Sequence, residues 1–300
     1  MNKKIKLRKA LKDTLNQKWM SGKGVSRYAM KQQNNGYSPY IHSYNTYKTY
    51  AAQCDHFADW CYTNDYRFLN DKIDNMVKRY IDTLKRSNKS AWSIQTALCA
   101  ISKALDRPVK SWNIDLPQRK REDIKRSRLV SSGDSHINLA NYTDLIMFCK
   151  CFGLRKQKEL EVLQVKDIEI FEDTNGKQMR VQVASGKGGK ARTVPFCGSD
   201  AEKEKILSWL QDKDPESLAF PHIPERLDVH SYRADYAKRL YESVKRPIEG
   251  LDWHECYICR KDKKGERYDR KALLEVSRAL GHNREDVVVN HYMYKLSELD

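Results

Sequence analysis

The stretch VKDIEIFEDTNGKQMRVQVASGKGGKARTVPF, residues 165–196, decides the fold class. Ile168-Glu169-Ile170-Phe171 leads into Asn175-Gly176, a pair that accepts the positive φ angles of a tight hairpin turn. Residues 179–183 then read as the returning strand. Ser185-Gly186-Lys187-Gly188-Gly189-Lys190 is a second tight turn, and a third strand follows over 192–196. Outside this stretch the apolar spacing is mostly helical, so the expected class is mostly α with a small antiparallel β-sheet (α+β).

Upstream, Tyr47, Tyr50, Ala51, Cys54, Phe57, Ala58 and Cys61 recur at steps of three and four and make one apolar stripe on a helix over 43–64. A second helix carries Ile73, Met76, Val77, Tyr80, Ile81 and Leu84 on one face, with Asp71 as its expected N-cap. A third follows Ser90 through Trp92, Ile94, Ala97, Leu98, Ile101 and Leu105, and Pro108 closes it. The polar, basic and then Ser/Gly-rich run at 118–136 marks a linker. Past it, a helix around 141–152 ends at Gly153, and the remainder reads helical except for a polar insertion near 253–270. The expected organisation is a basic N-terminal segment over 1–40, read as a frayed end in preference to a DNA-touching arm, a helical domain over 41–117, the linker, and a second domain over 137–300.

The net charge of +16 is unevenly placed: residues 1–130 hold 27 Lys and Arg against 11 Asp and Glu, and residues 131–300 hold 29 of each. An excess confined to the first part points to a polyanion, because neutralising phosphates releases condensed counterions. No run of about 18 apolar residues exists, which excludes a helical membrane span. The start, Met1-Asn2-Lys3-Lys4, lacks the apolar stretch of a secretory signal. The eight scattered cysteines therefore read as reduced thiols. The expected location is cytoplasmic and nucleoid-associated.

Several short segments carry chemistry. The turn at 186–190 lets backbone and ammonium approach a phosphate; it lacks P-loop spacing, and a solvated hairpin tip is the other reading. His230 and Arg233 sit three apart on a helix face, within reach of one anion or as a satisfied histidine beside a surface arginine. Cys256-x-x-Cys259 with His254 nearby invites zinc but lacks a second ligand pair, so a thiol pair is preferred and no metal is expected.

Taken in order, Gly153-Leu154-Arg155 with Glu159-Leu160, Gly186-Lys187-Gly188, His230-x-x-Arg233, Leu280-Gly281-His282 and Tyr292 resemble the signature of the tyrosine recombinase (phage integrase) family across residues 137–292. The first 130 residues look like that family's helical core-binding domain, so the resemblance implies this domain followed by a catalytic domain. It also implies site-specific cleavage and rejoining of DNA without a cofactor, through a 3′-phosphotyrosine on Tyr292. Arg155 and Arg233 would clamp the phosphate, with Lys187 as acid to the leaving oxygen. His230 would handle the tyrosine proton, His282 would donate to the phosphate, and Glu159 would orient an arginine. The implied partners are double-stranded DNA with specific core sites, gripped in a C-shaped clamp, a homotetramer on paired sites, and accessory DNA-bending factors.

Two features depart from the family pattern. Its acidic residue usually lies three positions after the first arginine, whereas Glu159 lies four after Arg155; an insertion keeps Arg155 in the site, and a shifted register substitutes Lys156. Only eight residues follow Tyr292, where relatives often use a longer tail to dock on a neighbouring subunit, and Tyr294 is a rival nucleophile. The residues around Cys259-Arg260 and Asp269-Arg270 resemble integrases of mobile elements, which favours integration or excision as the role. An inactive DNA-binding accessory protein of the same fold, a type IB topoisomerase-like enzyme and an unrelated RNA-binding protein are the competing readings; the last would make the motif order a coincidence.

Overall fold

The computed structural model describes residues 6–120, 133–174, 176–186, 189–260 and 263–293. The chain divides into two compact units, Met1–Asp123 and Ile124–Asp300. Most of the expected linker, residues 121–132, lies outside the described residues. No described helix is long and apolar enough to cross a membrane.

The N-terminal unit is helical: α1 (Leu7–Gly22), α2 (Arg27–Gln33), α3 (Tyr44–Thr63), α4 (Ile73–Arg86) and α5 (Ala91–Ala104). The apolar stripe of α3 buries Cys54, Phe57, Ala58 and Cys61. Ser43 and Ser90 cap α3 and α5 by accepting the backbone N–H of Thr46 and Ser93. The expected cap of α4 is corrected: Lys72 stands at the N-cap without a side-chain bond, and Asn70 accepts the Lys72 N–H instead of Asp71. A larger correction concerns the terminal segment. Residues 7–22 are not a frayed end, because Leu7, Leu11 and Leu15 are fully buried and join the core of Phe57, Val77, Ile81, Leu98 and Trp112. Their spacing of four puts all three on one face, while Arg8, Lys12 and Lys18 pair with Asp59, Asp55 and Asp106.

The C-terminal unit packs α6 (Thr143–Phe152), α7 (Asp200–Leu210), α8 (Val229–Val244), α9 (Arg270–Ala279) and α10 (Glu285–His291) with a sheet of β1 (Ile168–Asp173), β2 (Gly176–Val183) and β3 (Arg192–Pro195). The sheet runs in the order β1-β2-β3, antiparallel throughout. The first ladder closes at Asp173 against Gly176, so Gly176 opens the returning strand; Asn175 lies outside the described residues. Phe148, Phe152, Val181, Val194, Tyr236, Leu273 and Leu280 form one core beneath sheet and helices. The polar insertion near 253–270 contains an antiparallel pair, β4 (Cys256–Ile258) and β5 (Arg267–Asp269). Arg246 pins it: its side chain takes both oxygens of Asp269 at 2.9 and 2.8 Å and reaches Glu255 at 2.6 Å. Asp269 also caps α9, and the bonds from Arg246 hold its carboxyl far below the usual carboxylate range despite burial.

Candidate active site

Gly153 ends α6 in the left-handed conformation, at φ 55°, and a Cβ there would overlap the ring of Tyr236. The close approach turns the chain so that Leu154 enters the core and Arg155 faces the site. The next turn is wide: the Leu160 N–H donates to the Arg155 carbonyl at 2.9 Å, and Lys158 takes a φ of 64°. This five-residue closure lets Glu159, four positions on, fold back onto Arg155. Glu159 accepts the backbone N–H of Arg155 at 2.8 Å and its Nη1 at 2.6 Å, while Arg155 Nη2 donates to the Leu280 carbonyl at 2.8 Å. Lys156 points elsewhere, donating to the Pro224 carbonyl at 2.7 Å. The local geometry therefore brings Arg155, and not Lys156, to Glu159 and Leu280.

Asp228 caps α8, and the helix presents His230 and Arg233 one turn apart. Arg233 is 2% exposed. Its Nη1 and Nη2 donate to the carbonyls of Gly153 and Leu280, and its Nε donates to the Tyr292 hydroxyl at 3.2 Å. Burial pushes the Arg233 guanidinium down from its ordinary value and contact with Tyr292 opposes the fall; the group stays charged. Gly281, at φ 71°, makes the turn after α9, where the His282 N–H donates to the Ser277 carbonyl at 2.7 Å. His282 Nε2 lies 3.5 Å from the Tyr292 hydroxyl, the outer limit of a hydrogen bond. The His230 ring centroid lies 5.5 Å from that of Tyr292. Tyr292 itself, at the end of α10, is 5% exposed.

Arg155, Glu159, His230, Arg233, His282 and Tyr292 thus meet in one place, although their elements span residues 153–292. Lys187 and Gly188 lie outside the described residues, as does Tyr294. The neighbouring Gly186 is described, and a Cβ on it would fall 2.8 Å from Arg192 Nη1 and 3.1 Å from Glu159 Oε1. The hairpin base therefore sits on the arginine cluster.

Arg192 is the member that the sequence does not single out. Its Nη1 and Nη2 grip Glu159 at 3.0 and 2.7 Å, and its Nε donates to the Ala279 carbonyl at 2.8 Å. Burial alone would raise the Glu159 carboxyl, but the bonds from Arg192 and Arg155 prevail and hold it at about 2. Among the described residues, Arg155, Arg192 and Arg233 bring three guanidiniums together with one carboxylate, Glu159, beside the Tyr292 hydroxyl, a surplus of positive charge. Such a surplus suits an anion, and the donors left over on Arg155 and Arg233 can receive its oxygens.

The CxxC pair is buried, with Cys256 Sγ accepting from Arg267 at 3.3 Å, and no cluster of three or more metal-capable side chains occurs among the described residues.

A second cleft, of about 700 Å³, lies wholly within the N-terminal unit. Arg27, Lys31, Lys103 and Arg107 line it with Tyr37 and Tyr50, and no described carboxylate does. Lys103 donates to the Ser38 carbonyl at 2.6 Å and to the Tyr37 hydroxyl at 3.0 Å. Burial, with Lys18 nearby, brings its ammonium down to about 8, against the opposing pull of Asp106.

Solved structures similar to this chain include an integrase and a recombinase. The Tn1549 transposon integrase (residues 82–397) in complex with circular intermediate DNA is 10% identical, with 97% of this chain and 96% of that chain covered and a TM-score of 0.44. The same integrase bound to transposon right-end DNA is 11% identical, with 97% and 95% covered and a TM-score of 0.46. XerA recombinase is 17% identical, with 96% and 95% covered and a TM-score of 0.32. All three scores lie under 0.5, too low for the likeness to carry a functional argument. No protein-family profile matches the chain, and no curated protein is similar to it.

Proposed function

We propose that this chain is a tyrosine recombinase that cleaves and rejoins DNA through a covalent bond between Tyr292 and a 3′-phosphate, and that it integrates or excises a mobile element. One observation carries the reading: Arg155 and Arg233 share the Leu280 carbonyl, and Arg233 also holds the Tyr292 hydroxyl. On this reading Tyr292 is the nucleophile, and the two guanidiniums beside it are the permanent cations that a phosphodiester would meet.

In the cleavage step the Tyr292 oxygen attacks phosphorus, the bond from phosphorus to the 5′-oxygen breaks, and a phosphotyrosine forms. His230 takes the phenol proton and Lys187 gives one to the leaving oxygen, so charge and atoms balance. Arg155 and Arg233 stabilise the equatorial oxygens, where preorganised charge contributes most, and His282 adds a donor. The stored phosphoester lets a second 5′-hydroxyl reverse the step on a new strand. The basic N-terminal unit supplies grip on duplex DNA through its phosphates. A homotetramer on paired core sites completes the exchange, with DNA-bending factors as accessories.

The test begins with DNA retained by Tyr292→Phe protein, whose sequencing yields the core site. A duplex of that sequence, nicked just beyond the scissile position, should trap covalent protein with the intact chain and none with Tyr292→Phe. Absence of the adduct with the intact chain would return the accessory-protein reading. Relaxation of supercoils without exchange between paired sites would return the topoisomerase-like one.

A further inference from the structure

Arg192 opens β3, a position that carries no motif, yet it touches three of the segments that meet at the site. Its guanidinium holds both Glu159 oxygens and the Ala279 carbonyl, and hypothetical Cβ atoms on Gly186 and Gly281 would fall 2.8 and 3.2 Å from its Nη1. Its side chain is 8% exposed and that of Glu159 is fully buried. Glu159 receives four donors, two from Arg155 and two from Arg192, which fills the lone-pair sites of one carboxylate. Without Arg192 half of those sites would be empty in a place water does not reach. The carboxylate would then rotate or take up a proton, and either change releases Arg155 Nη1.

We infer that Arg192 is a positioning residue for the cleavage step: through Glu159 it fixes the guanidinium of Arg155. The inference rests on the reading of Tyr292 as nucleophile. Arg192 need not touch the phosphate to act, because a catalytic group displaced by about 1 Å loses on the order of 100-fold in rate.

The experiment measures single-turnover adduct formation on the nicked duplex, together with duplex affinity by fluorescence anisotropy and the thermal midpoint. The proteins are the intact chain, Arg192→Gln, Arg192→Lys, Glu159→Gln and the double variant of Arg192→Gln with Glu159→Gln. Arg192→Gln should form adduct about 100-fold more slowly while binding duplex within about 3-fold of the intact chain. Arg192→Lys should recover part of the rate, since an ammonium replaces one of the three bonds. The double variant should be no slower than Glu159→Gln alone, because both changes cut the same support. Should Arg192→Gln fail to fold, Arg192→Lys alone and combined with Glu159→Gln gives the same comparison. Losses that multiply in the double variant, or an Arg192→Gln rate equal to that of the intact chain, overturn the positioning role and leave Tyr292 in place. An intact chain that forms no adduct removes the nucleophile reading and this role with it.

Discussion

Glu159 is the residue on which the site's electrostatics turn. Its carboxyl titrates at about 2 in the fold against an ordinary 4.5, so the charged form contributes stability that is fully present above 4.5 and lost as pH falls towards 2. Glu159→Gln removes that contribution. The stability gap between the intact chain and the variant should therefore be widest near neutrality and shrink by up to about 3 kcal/mol between those limits, read as denaturant midpoints across pH. A gap that stays constant over that window would show that the arginines do not hold the carboxylate. Part of this arrangement is legible in the sequence: Gly-Leu-Arg followed by an acidic residue points to a paired arginine. Arg192 is not, because its role comes from a tertiary contact 33 residues distant from Glu159 and no local pattern marks it. The five-residue closure after Arg155 is equally hidden, since it depends on Lys158 accepting a left-handed backbone.

Among the elements, the end of α6 is the most sensitive to a single methyl. Gly153→Ala must place a Cβ into the Tyr236 ring from a left-handed backbone, and it disturbs the carbonyl that Arg233 uses. The loss should be about 2–4 kcal/mol in urea unfolding, adding overpacking to backbone strain, with a matching fall in adduct yield. A variant as stable as the parent would mean that α6 can shift without consequence. Helices α3 and α5 and the three-stranded sheet follow from apolar spacing and turn residues, because each is long or strongly patterned. The β4–β5 pair escapes such reading: three residues per strand give no periodicity, and its hold on the fold is the Arg246–Asp269 pair, a contact between distant positions. In α1 the leucine spacing was available, but the surrounding lysines suggested a solvated tail.

At the scale of the whole molecule, part of the charge excess of residues 1–130 lines one cleft, through Arg27, Lys31, Lys103 and Arg107. Because that ammonium titrates at about 8, a phosphate arriving there stabilises its proton, and duplex affinity should weaken as pH rises through about 8. Lys103→Arg should keep its affinity across the same range, since a guanidinium does not deprotonate. Anisotropy titrations at fixed salt would measure both, and identical pH profiles for the two proteins would exclude the cleft from the binding surface. The described side chains that meet at Tyr292 come from residues 153–292 of the second unit. On the proposed reading, grip and chemistry would then be separable: weakening the basic cleft should lower affinity and leave the rate of the bound complex intact.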